Sequence, residues 1–504
     1  MSQGPGNKLL RKVILASSVG TMIEWYDFYI FGSLATLLST QFFPKEDPAA
    51  AFLFTLAAFG VGFVIRPFGA IVFGRLGDMI GRKYTFLITL LLMGGSTFAI
   101  GLIPGYETIG VFAPIIVFLL RAVQGLALGG EYGGAAIYVA EHAPAGRKGF
   151  FTSFIQTTAT LGLFISLAVI LTCKASMSAS DFNSWGWRIP FLASIFLVIV
   201  SYYIRRRMEE SPAFAELKAQ GRISRNPLRE SFGKKENLRL VLLALFGATA
   251  GQGVVWYTGQ FYAMNFCIKN LNIDAEQVQR LLIPVLLVGI PLFIFFASLS
   301  DRVGRKWIMV SGMGLAALSY YPIYKGMAAE ADVTQWRSID VPSDGENPAT
   351  IKKNPDGSAT ATLEYKYDNG ALVTESITKW SDGRKDQVVT HVKLPGTNLV
   401  IIGLLIFLQL VFVAMAYGPI AAFLVELFPV HIRYTSLSLP YHIGNGVFGG
   451  LTPLIAESLV QKTGNIFAGL WYPIIVAAVT ALTGIFFLRS NNSASDDRVR
   501  DAGE

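Results

Sequence analysis

The chain contains twelve apolar stretches, each long enough to cross a lipid bilayer as a helix. A membrane helix needs roughly 20 predominantly apolar residues because the hydrocarbon core is about 30 Å thick. Only 15% of the 504 residues are charged, compared with about one quarter in an ordinary soluble domain. These features exclude a large soluble enzyme and predict an all-α membrane protein. The predicted spans are residues 13–38, 50–74, 84–104, 110–140, 149–173, 187–204, 239–266, 280–300, 307–328, 398–427, 434–460 and 466–489.

Basic residues accumulate in the loops on one side of the predicted bundle. They follow the second span (Arg75, Arg82, Lys83) and the eighth (Arg305, Lys306), and they fill a long middle loop. Lys and Arg are enriched in cytoplasmic loops, which accounts for the net charge of +8. We therefore expect a multi-pass protein of the bacterial cytoplasmic membrane whose termini and middle loop are cytoplasmic.

The first span begins as a secretory signal peptide does, with Lys8, Arg11 and Lys12 before an apolar run. The run continues through Glu24 and Asp27 without a small-residue cleavage site. We therefore expect this segment to be retained as a membrane helix.

The loop after the second span recurs after the eighth span, which indicates an internal repeat. Residues 74–83 (GRLGDMIGRK) correspond to residues 297–306 (ASLSDRVGRK), 223 positions later (297 minus 74). Gln124 and Gln409 are separated by 285 positions (409 minus 124), so the second half holds 62 extra residues (285 minus 223) between these landmarks. Two related six-helix halves are typical of transporters, and the apolar runs leave only 329–396 for the excess.

Segment 329–396 is polar and is predicted to form a small β-rich extracytoplasmic insert. Residue alternation favours an antiparallel meander with strands at 358–367, 371–380 and 386–393 and turns at 368–370 and 381–383. One interpretation is a decorative or partner-facing insert, and the other is a lid or a docking module. The predicted divisions are an N-terminal six-helix half (1–204), a cytoplasmic middle loop (205–238), the first part of the C-terminal half (239–328), the insert (329–396), the rest of the C-terminal half (397–489) and a cytoplasmic tail (490–504).

Several predicted spans contain ionisable residues, which are expensive at bilayer depth. Each costs of order 3 kcal/mol and usually faces a cavity or a partner charge. They are Glu24 and Asp27 on one face of span 1, Arg66 in span 2, Arg121 and Glu131 with Gln124 in span 4, and His442 with Asn445 in span 11. We predict an interior polar cluster. The alternative is that these charges only pair to hold helices together.

An interior cluster of this kind suits a proton-coupled carrier. An arginine binds a carboxylate through two parallel hydrogen bonds, and protonation of a neighbouring carboxylate changes the charge that the arginine meets. The predicted substrate-binding residues are Arg66, Arg121, Gln124, Glu131, Tyr26, Gln156, Trp256, Tyr257, Tyr417, Tyr441, His442 and Asn445. For each aromatic residue, and for His442, plain packing is the alternative.

A second group of charges lies at the predicted cytoplasmic helix ends and indicates a gate. The predicted gate residues are Asp78, Arg82 and Glu141 in the first half and Asp301, Arg305 and Glu426 in the second. Salt bridges between helices at these ends would hold the gate closed and break when it opens.

Several motifs resemble the metabolite:proton symporter family of the major facilitator superfamily. They are residues 20–28 (GTMIEWYDF), 66–69 (RPFG), 121–125 (RAVQG), 129–132 (GGEY) and 210–214 (ESPAF), together with the repeated loop. The resemblance implies carriage of α-ketoglutarate, citrate, shikimate, or proline and betaine. By analogy with related sugar porters, it implies Asp27 and Arg121 as the proton-coupling pair, with Glu24 beside them.

The chain departs from this family at three places. The insert at 329–396 is not a usual family feature, and the second loop repeat has Ser300 where the first has Gly77. The tail at 490–504 carries no heptad pattern, unlike the long coiled-coil tail of osmosensing betaine carriers, which weakens that substrate assignment.

We expect a secondary active transporter that takes up a small organic acid, such as a di- or tricarboxylate, with protons. The alternatives are uptake of a zwitterion such as proline or betaine, export, or a transporter-like ligand sensor. The sequence contains no HExxH, GxSxG or P-loop motif, so neither an enzyme nor an ATP-driven pump is expected. No metal or cofactor and no nucleic-acid partner is expected. We expect a monomer in the lipid bilayer, with the insert facing an extracytoplasmic partner.

Overall fold

The computed structural model describes residues 7–44, 48–207, 209–340, 350–353, 358–380 and 386–489 of the chain. Within these residues, twelve long helical segments form the body of the protein. They are α1 Asn7–Ser33, α2 Pro48–Met79, α3 Arg82–Leu102, α4 Phe112–His142, α5 Lys148–Ser176, α6 Arg188–Arg206, α7 Lys235–Asn270, α8 Ala275–Val303, α9 Arg305–Glu330, α10 Gly396–Leu427, α11 Val430–Thr463 and α12 Ala468–Phe487.

Ten of the described helices are long and apolar enough to cross a membrane, and α1 and α9 complete the predicted set of twelve. Shorter helices lie in the connections, at Ala35–Phe42, Tyr106–Ile109, Ala179–Asp181, Phe182–Gly186, Pro212–Ala219, Arg229–Gly233 and Val333–Gln335. The predicted fold class, a twelve-helix membrane protein with a small β-rich insert, is confirmed.

Most helices extend a few residues beyond the predicted apolar spans, because a helix continues past the hydrocarbon core into the interface. One extension changes the interpretation of a charge. The predicted middle loop begins at 205, but α6 continues through Arg206 and leaves Arg205 inside the bundle, with 1% of its surface exposed.

The helices form two bundles, which we call the N-terminal half (α1–α6) and the C-terminal half (α7–α12). The halves meet along two corresponding helix pairs, α2 with α11 and α5 with α8. We call the side where α2 ends at Met79 and α8 ends at Val303 the basic face, and the opposite side the insert face. The predicted two-fold repeat is therefore visible in the contacts between the halves.

The helices that carry the first-half charges pack closely because glycines line their contact. A Cβ atom at Gly129 of α4 would overlap the backbone of Arg66 and Ala70 in α2. Small residues allow membrane helices to approach closely. The close approach brings the Arg66 turn of α2 against the middle of α4, where the other polar residues lie.

Helices α7 and α11 contain π-helical turns, which are frequent at functional sites. In α7 they occur at Leu245–Thr249, Thr258–Tyr262 and Phe266–Asn270, and in α11 at Ile443–Gly449. A π turn changes which side chains face a neighbour. The α11 turn follows His442 directly and includes Asn445, so two predicted site residues lie where the helix is irregular.

The insert is an antiparallel sheet of five strands: β1 Ser338–Asp340, β2 Thr350–Lys353, β3 Ala359–Tyr367, β4 Leu372–Lys379 and β5 Gln387–Lys393. The predicted meander is confirmed as β3–β4–β5, with Gly370 in the first turn at a φ of 85°. The second predicted turn, at 381–383, lies outside the described residues, as do residues 490–504. The short strands β1 and β2, which the sequence did not predict, both pair with β3.

The sheet is attached to the C-terminal half through strand β5. The Val392 amide donates to the Asn272 carbonyl (2.7 Å), and the Asp274 amide donates to the Val392 carbonyl (2.9 Å). The Gln277 side chain exchanges two hydrogen bonds with the backbone of Leu394. Strand β5 of the insert is therefore hydrogen bonded to the segment that connects α7 and α8.

Candidate functional site

Asp27 of α1 and Arg121 of α4 form a buried ion pair. The Arg121 Nη1 atom lies 3.0 Å from Asp27 Oδ2. The Gln124 side chain donates to Asp27 Oδ1 (2.9 Å) and accepts from Arg121 (2.8 Å), and it also donates to Thr97 of α3 (2.9 Å). Three helices of one half thus contribute to one polar cluster, in which both carboxylate oxygens are hydrogen bonded.

Glu24 and Arg66 form a second, looser pair one helical turn away on α1. Arg66 Nη1 lies 3.8 Å from Glu24 Oε1, and Glu24 Oε2 has no hydrogen-bond partner within the described part of the chain. The Arg66 guanidinium lies over the Phe63 ring of α2, 4.4 Å from its centroid, and the Phe63 carbonyl lies against Gly446 of α11. This pair therefore lies near the contact between the halves.

Glu131 does not join Arg66 or Arg121 but pairs with Arg205. The Arg205 guanidinium bonds both carboxylate oxygens of Glu131 and the Phe86 carbonyl, and it stacks on the Phe86 ring. Thr89 donates to Glu131 Oε2 (2.8 Å). Arg205 was not among the predicted site residues, because it lies one residue beyond the apolar run that ends at 204 and was assigned to the middle loop. The corrected position makes Glu131 part of an ion pair within the N-terminal half.

Aromatic side chains close the space between the halves. Trp25 of α1 contacts Trp256 of α7, with a ring separation of 5.4 Å. Tyr132 of α4 stacks on Tyr441 of α11, with ring centroids 3.7 Å apart and planes 3° apart. These contacts join the two halves at the level of the charged pairs.

A line of polar side chains runs through the stacked tyrosines. Gln156 of α5 donates to the Tyr132 hydroxyl (2.8 Å), and the Tyr417 and Tyr441 hydroxyls are 3.2 Å apart. Among the predicted binding residues, Gln156, Tyr417 and Tyr441 therefore lie together between the halves, with Tyr132 as a fourth member. Tyr132 and Tyr417 are 285 positions apart (417 minus 132), as Gln124 and Gln409 are, so the internal repeat relates these two tyrosines.

Three further predicted residues make contacts within the C-terminal half. Tyr257 packs edge-on against Trp256 (4.9 Å), and the His442 ring is 5.2 Å from that of Tyr441. Asn445 exchanges two hydrogen bonds, of 3.0 and 3.1 Å, with the amide of Gln252. Gln252 is fully buried in α7. It was not predicted, since a single amide in an apolar run is a weak signal.

Tyr26 is a correction to the predicted binding set. Its hydroxyl donates to the Pro190 carbonyl (2.8 Å), and its ring lies in an apolar core with Trp187 and Phe191. Tyr26 therefore joins α1 to α6 within the N-terminal half and does not face the C-terminal half. It follows Glu24 by two positions, which turns it to another side of the helix.

At the basic face, each half supplies a carboxylate to the start of a helix in the other half. Asp78 accepts hydrogen bonds from the Tyr434 and Thr435 amides of α11 (3.2 and 2.8 Å). Asp301 accepts from the Gly149 and Phe150 amides of α5 (2.8 Å each). A carboxylate at a helix N-terminus is stabilised by the free amides and the helix dipole. The two contacts are related by the internal repeat.

The ion-pair partners of the predicted gate arginines lie in the same half as each arginine. Arg82 lies 3.4 Å from Asp78 and 3.9 Å from Glu141, and its Nη2 atom donates to the Val430 carbonyl of the other half (2.8 Å). Arg305 lies 2.9 Å from Asp301 and 2.5 Å from Glu426. These arginines hold the aspartates that contact the opposite half.

Arg433 and Glu141 form an ion pair that crosses between the halves at this face (2.9 Å). Glu210 of the middle segment adds a contact that the sequence analysis missed. Its carboxylate accepts from the Arg82 and Lys83 amides (3.0 and 3.2 Å), so it caps α3. The links between halves are therefore mostly carboxylate-to-amide contacts, and the predicted salt bridges lie mainly inside each half.

The comparisons with known proteins agree with this architecture. The family model described as "Sugar (and other) transporter" matches residues 12–242. The glycine betaine/proline/ectoine/pipecolic acid transporter OusA of Dickeya dadantii is 30% identical over 498 residues, covering 96% of this chain and 84% of that protein. The citrate-proton symporter of Salmonella typhi is 29% identical over 482 residues, covering 94% of each.

A solved structure of the proton:xylose symporter XylE of the major facilitator superfamily superimposes with a TM-score of 0.69. It covers 99% of this chain and 100% of its own, at 16% sequence identity. That identity supports a shared fold alone. Together with the relatives that match almost the whole chain, it shows that the chain belongs to the metabolite:proton symporter family of the major facilitator superfamily.

Proposed function

We propose that this transporter carries a small carboxylate-bearing metabolite together with protons. One carboxylate–guanidinium pair of the N-terminal half would couple the proton, and the other would bind the substrate. The observation that carries the proposal is the contrast between them. In Asp27–Arg121 the charged groups are 3.0 Å apart and both carboxylate oxygens are hydrogen bonded, whereas Glu24–Arg66 is longer, has a carboxylate oxygen without a hydrogen bond in the described part of the chain and lies near the contact with the C-terminal half.

The Asp27–Arg121 pair is the proposed proton-coupling site. Protonation of Asp27 removes the charge that holds Arg121, while Gln124 and Thr97 remain as hydrogen-bond partners within the cluster. A buried guanidinium without a counter-ion is costly. Proton binding at Asp27 therefore frees Arg121 to attract an anion, and proton release restores the pair. This exchange couples the proton to the substrate.

The Glu24–Arg66 pair is the proposed substrate site. At 3.8 Å the pair lacks a close bond, so a substrate carboxylate competes well for the fork of Arg66. Tyr257, His442 and the Gln252–Asn445 amide pair lie on the opposing half and offer polar groups to a bound metabolite. The substrate would then lie between the halves and near the bilayer midplane, where carriers of this type bind.

A small organic acid is the leading substrate class, because two arginines of the N-terminal half lie next to the interface. The citrate-proton symporter relative supports this choice. A zwitterion such as proline or betaine is the second candidate. The observation that favours it is that Trp25, the residue after Glu24, packs against Trp256, which in turn packs against Tyr257. A cationic group is attracted both to a carboxylate and to ring faces. The relative named for glycine betaine and proline supports the second candidate.

Transport by purified protein in proteoliposomes tests the proposal. The expected result is accumulation of a carboxylate substrate when an inward proton gradient is imposed, and none when the gradient is dissipated. Binding of a ligand without any flux would support the sensor alternative and contradict the proposal. Organic acids, amino acids and betaines are screened first by thermal shift, because ligand binding raises apparent stability.

The proposed orientation places the basic face in the cytoplasm, with both termini there and the insert outside. The bias of Lys and Arg toward this face supports it. In this orientation the Asp78–α11 and Asp301–α5 contacts hold the cytoplasmic gate closed. The monomeric state and the contact of the insert with an extracytoplasmic partner stay predictions.

A further inference from the structure

A cavity of about 430 Å³ lies at the basic face of the C-terminal half, apart from the charged pairs between the halves. Four helix ends surround it: the starts of α7 and α9 and the ends of α10 and α12. All four helices reach the membrane surface at this point. The cavity is therefore expected at the boundary between the bilayer and water. Arg305 and Glu426 of its lining also belong to the predicted gate, and the other lining residues have no part in the proposed transport mechanism.

The lining of the cavity is positively charged. Arg239, Arg305, Lys306 and Arg489 line it against two carboxylates, Glu236 and Glu426. Arg305 is neutralised by its bonds to Glu426, and Lys306 donates to the Ile485 and Leu488 carbonyls at the end of α12.

Two of these basic side chains are available for a ligand. Arg239 and Arg489 are exposed, and neither has a hydrogen bond or an ion pair within the described part of the chain. Arg239 lies on α7 and Arg489 follows the end of α12, and both line the same cavity. Arginine is suited to this role because its planar fork matches phosphate oxygens.

The rest of the lining is apolar. Leu240, Leu243, Phe423, Leu427, Phe487 and Leu488 complete the wall. The Phe487 side chain is 59% exposed at the end of a spanning helix. A basic pocket with an apolar wall at a helix end has the chemistry of an anionic headgroup attached to an acyl chain, and such pockets between membrane helices bind anionic lipids. A soluble anion would contact the basic side chains but not the apolar wall.

We propose that this cavity binds the phosphate of an anionic lipid, such as phosphatidylglycerol, from the leaflet at the basic face. Arg239 and Arg489 hold the phosphate, and the acyl chain lies along Phe487 and Leu243. Glu236 opposes binding because its carboxylate lines the same space. Loss of the charge at Arg239 or Arg489 is therefore predicted to weaken lipid binding, and loss of the charge at Glu236 is predicted to strengthen it.

The test compares full-length variants in phosphatidylcholine nanodiscs with and without phosphatidylglycerol, by native mass spectrometry of the retained lipid and by thermal unfolding. Removing both arginines (Arg239→Gln with Arg489→Gln) is expected to lower phosphatidylglycerol retention by about tenfold or more, since each basic group near an anionic lipid surface contributes about fivefold. Glu236→Gln is expected to raise retention. These side chains are exposed, so their substitution leaves no buried group without a partner. Unfolding measured in phosphatidylcholine alone checks that the variants fold.

The matched control removes the same two charges from the same face but away from the cavity, at Lys218 and Arg225, both exposed. Lys218→Gln with Arg225→Gln is expected to retain phosphatidylglycerol as the wild type does. Equal retention by the wild type and the double arginine variant would overturn the proposal. So would equal stabilisation by inorganic phosphate added to phosphatidylcholine nanodiscs, because that result would identify a soluble anion as the occupant.

Discussion

The Asp27 carboxylate lies 3.0 Å from the guanidinium of Arg121, and both side chains are buried within one half of the transporter. No residue of the C-terminal half takes part in the described bonds of this cluster. A change in the charge of this cluster therefore acts first on residues of the N-terminal half. It reaches the substrate site through α1, which also carries Glu24 one turn earlier.

Asp27→Asn is expected to abolish proton-driven accumulation while exchange of substrate across the membrane continues. The amide keeps a hydrogen-bond acceptor for Arg121 but no longer binds and releases a proton. In proteoliposomes, we expect accumulation to fall at least about tenfold, as is typical when a positioned proton-transfer group is removed. Asp332→Asn, in an exposed turn next to the insert, is the matched control. Accumulation by Asp27→Asn at the wild-type level would contradict the proton role.

Substitutions at the second pair are expected to separate the two substrate classes. Arg66→Gln removes the proposed carboxylate partner and should weaken binding of organic acids and zwitterions alike, by about 10- to 100-fold, since a charge-assisted hydrogen bond contributes about 1.5–3 kcal/mol. Glu24→Gln should weaken binding only if the substrate carries a cationic group. Affinities measured by thermal shift against both classes distinguish the two results. Unchanged affinity in Arg66→Gln would remove Arg66 from the binding site.

Loss of a carboxylate at a helix start is expected to open the basic face. Asp78→Asn and Asp301→Asn each weaken a contact between halves, and a helix N-terminal charge is worth up to about 2 kcal/mol when partly buried. A cysteine introduced at Ser438, a buried residue of α11 that faces α4, reports opening by its rate of maleimide labelling. The native cysteines, Cys173 and Cys267, are both buried and are replaced by Ser in all variants.

We expect labelling at position 438 to accelerate roughly fivefold or more in either aspartate variant. Asp368→Asn, at the turn between β3 and β4, provides the control on the insert face. If both aspartate variants labelled at the control rate, the carboxylate-to-amide contacts would not hold the gate closed.

The Glu131–Arg205 pair is expected to be coupled energetically. Glu131→Gln or Arg205→Met alone leaves a buried partner charge without its counter-ion, and such changes cost about 3–5 kcal/mol. The double variant should recover much of this loss, because both charges are removed together. Unfolding measured for the four proteins of the cycle gives the coupling. Additive losses in the double variant would show that the two side chains act independently.

The attachment of the insert is expected to depend on Gln277. Gln277→Ala removes two hydrogen bonds to the Leu394 backbone, each worth about 1 kcal/mol. Hydrogen exchange at residues 387–393 should accelerate by at least about tenfold, whereas the exchange of α1 and α4 should not change. Gln461→Ala, an exposed glutamine near the end of α11, is the control. Unchanged protection of β5 would mean that the apolar contacts of Val373 and Val392 suffice to hold the sheet.

Sequence periodicity determined most of the architecture of this protein. The twelve helices follow from apolar stretches of membrane length, because backbone groups in lipid must be satisfied within the same segment. The position of the insert followed from the offsets of the repeated motifs, and three of its strands from residue alternation. The cost of charge in lipid was also enough to single out Glu24, Asp27, Arg66 and Arg121 as interior residues.

Tertiary structure alone decided which of these charges are partners. Glu131 pairs with Arg205, which lies one position beyond the apolar run that ends at 204, so local hydropathy could not identify it as buried. The same limit applies to Gln252, Glu210 and Tyr26, whose partners are 193, 128 and 164 positions away along the chain. A polar residue within an apolar run indicates that a buried group needs a partner. Only the packing of distant helices determines which group lies within hydrogen-bonding distance of it.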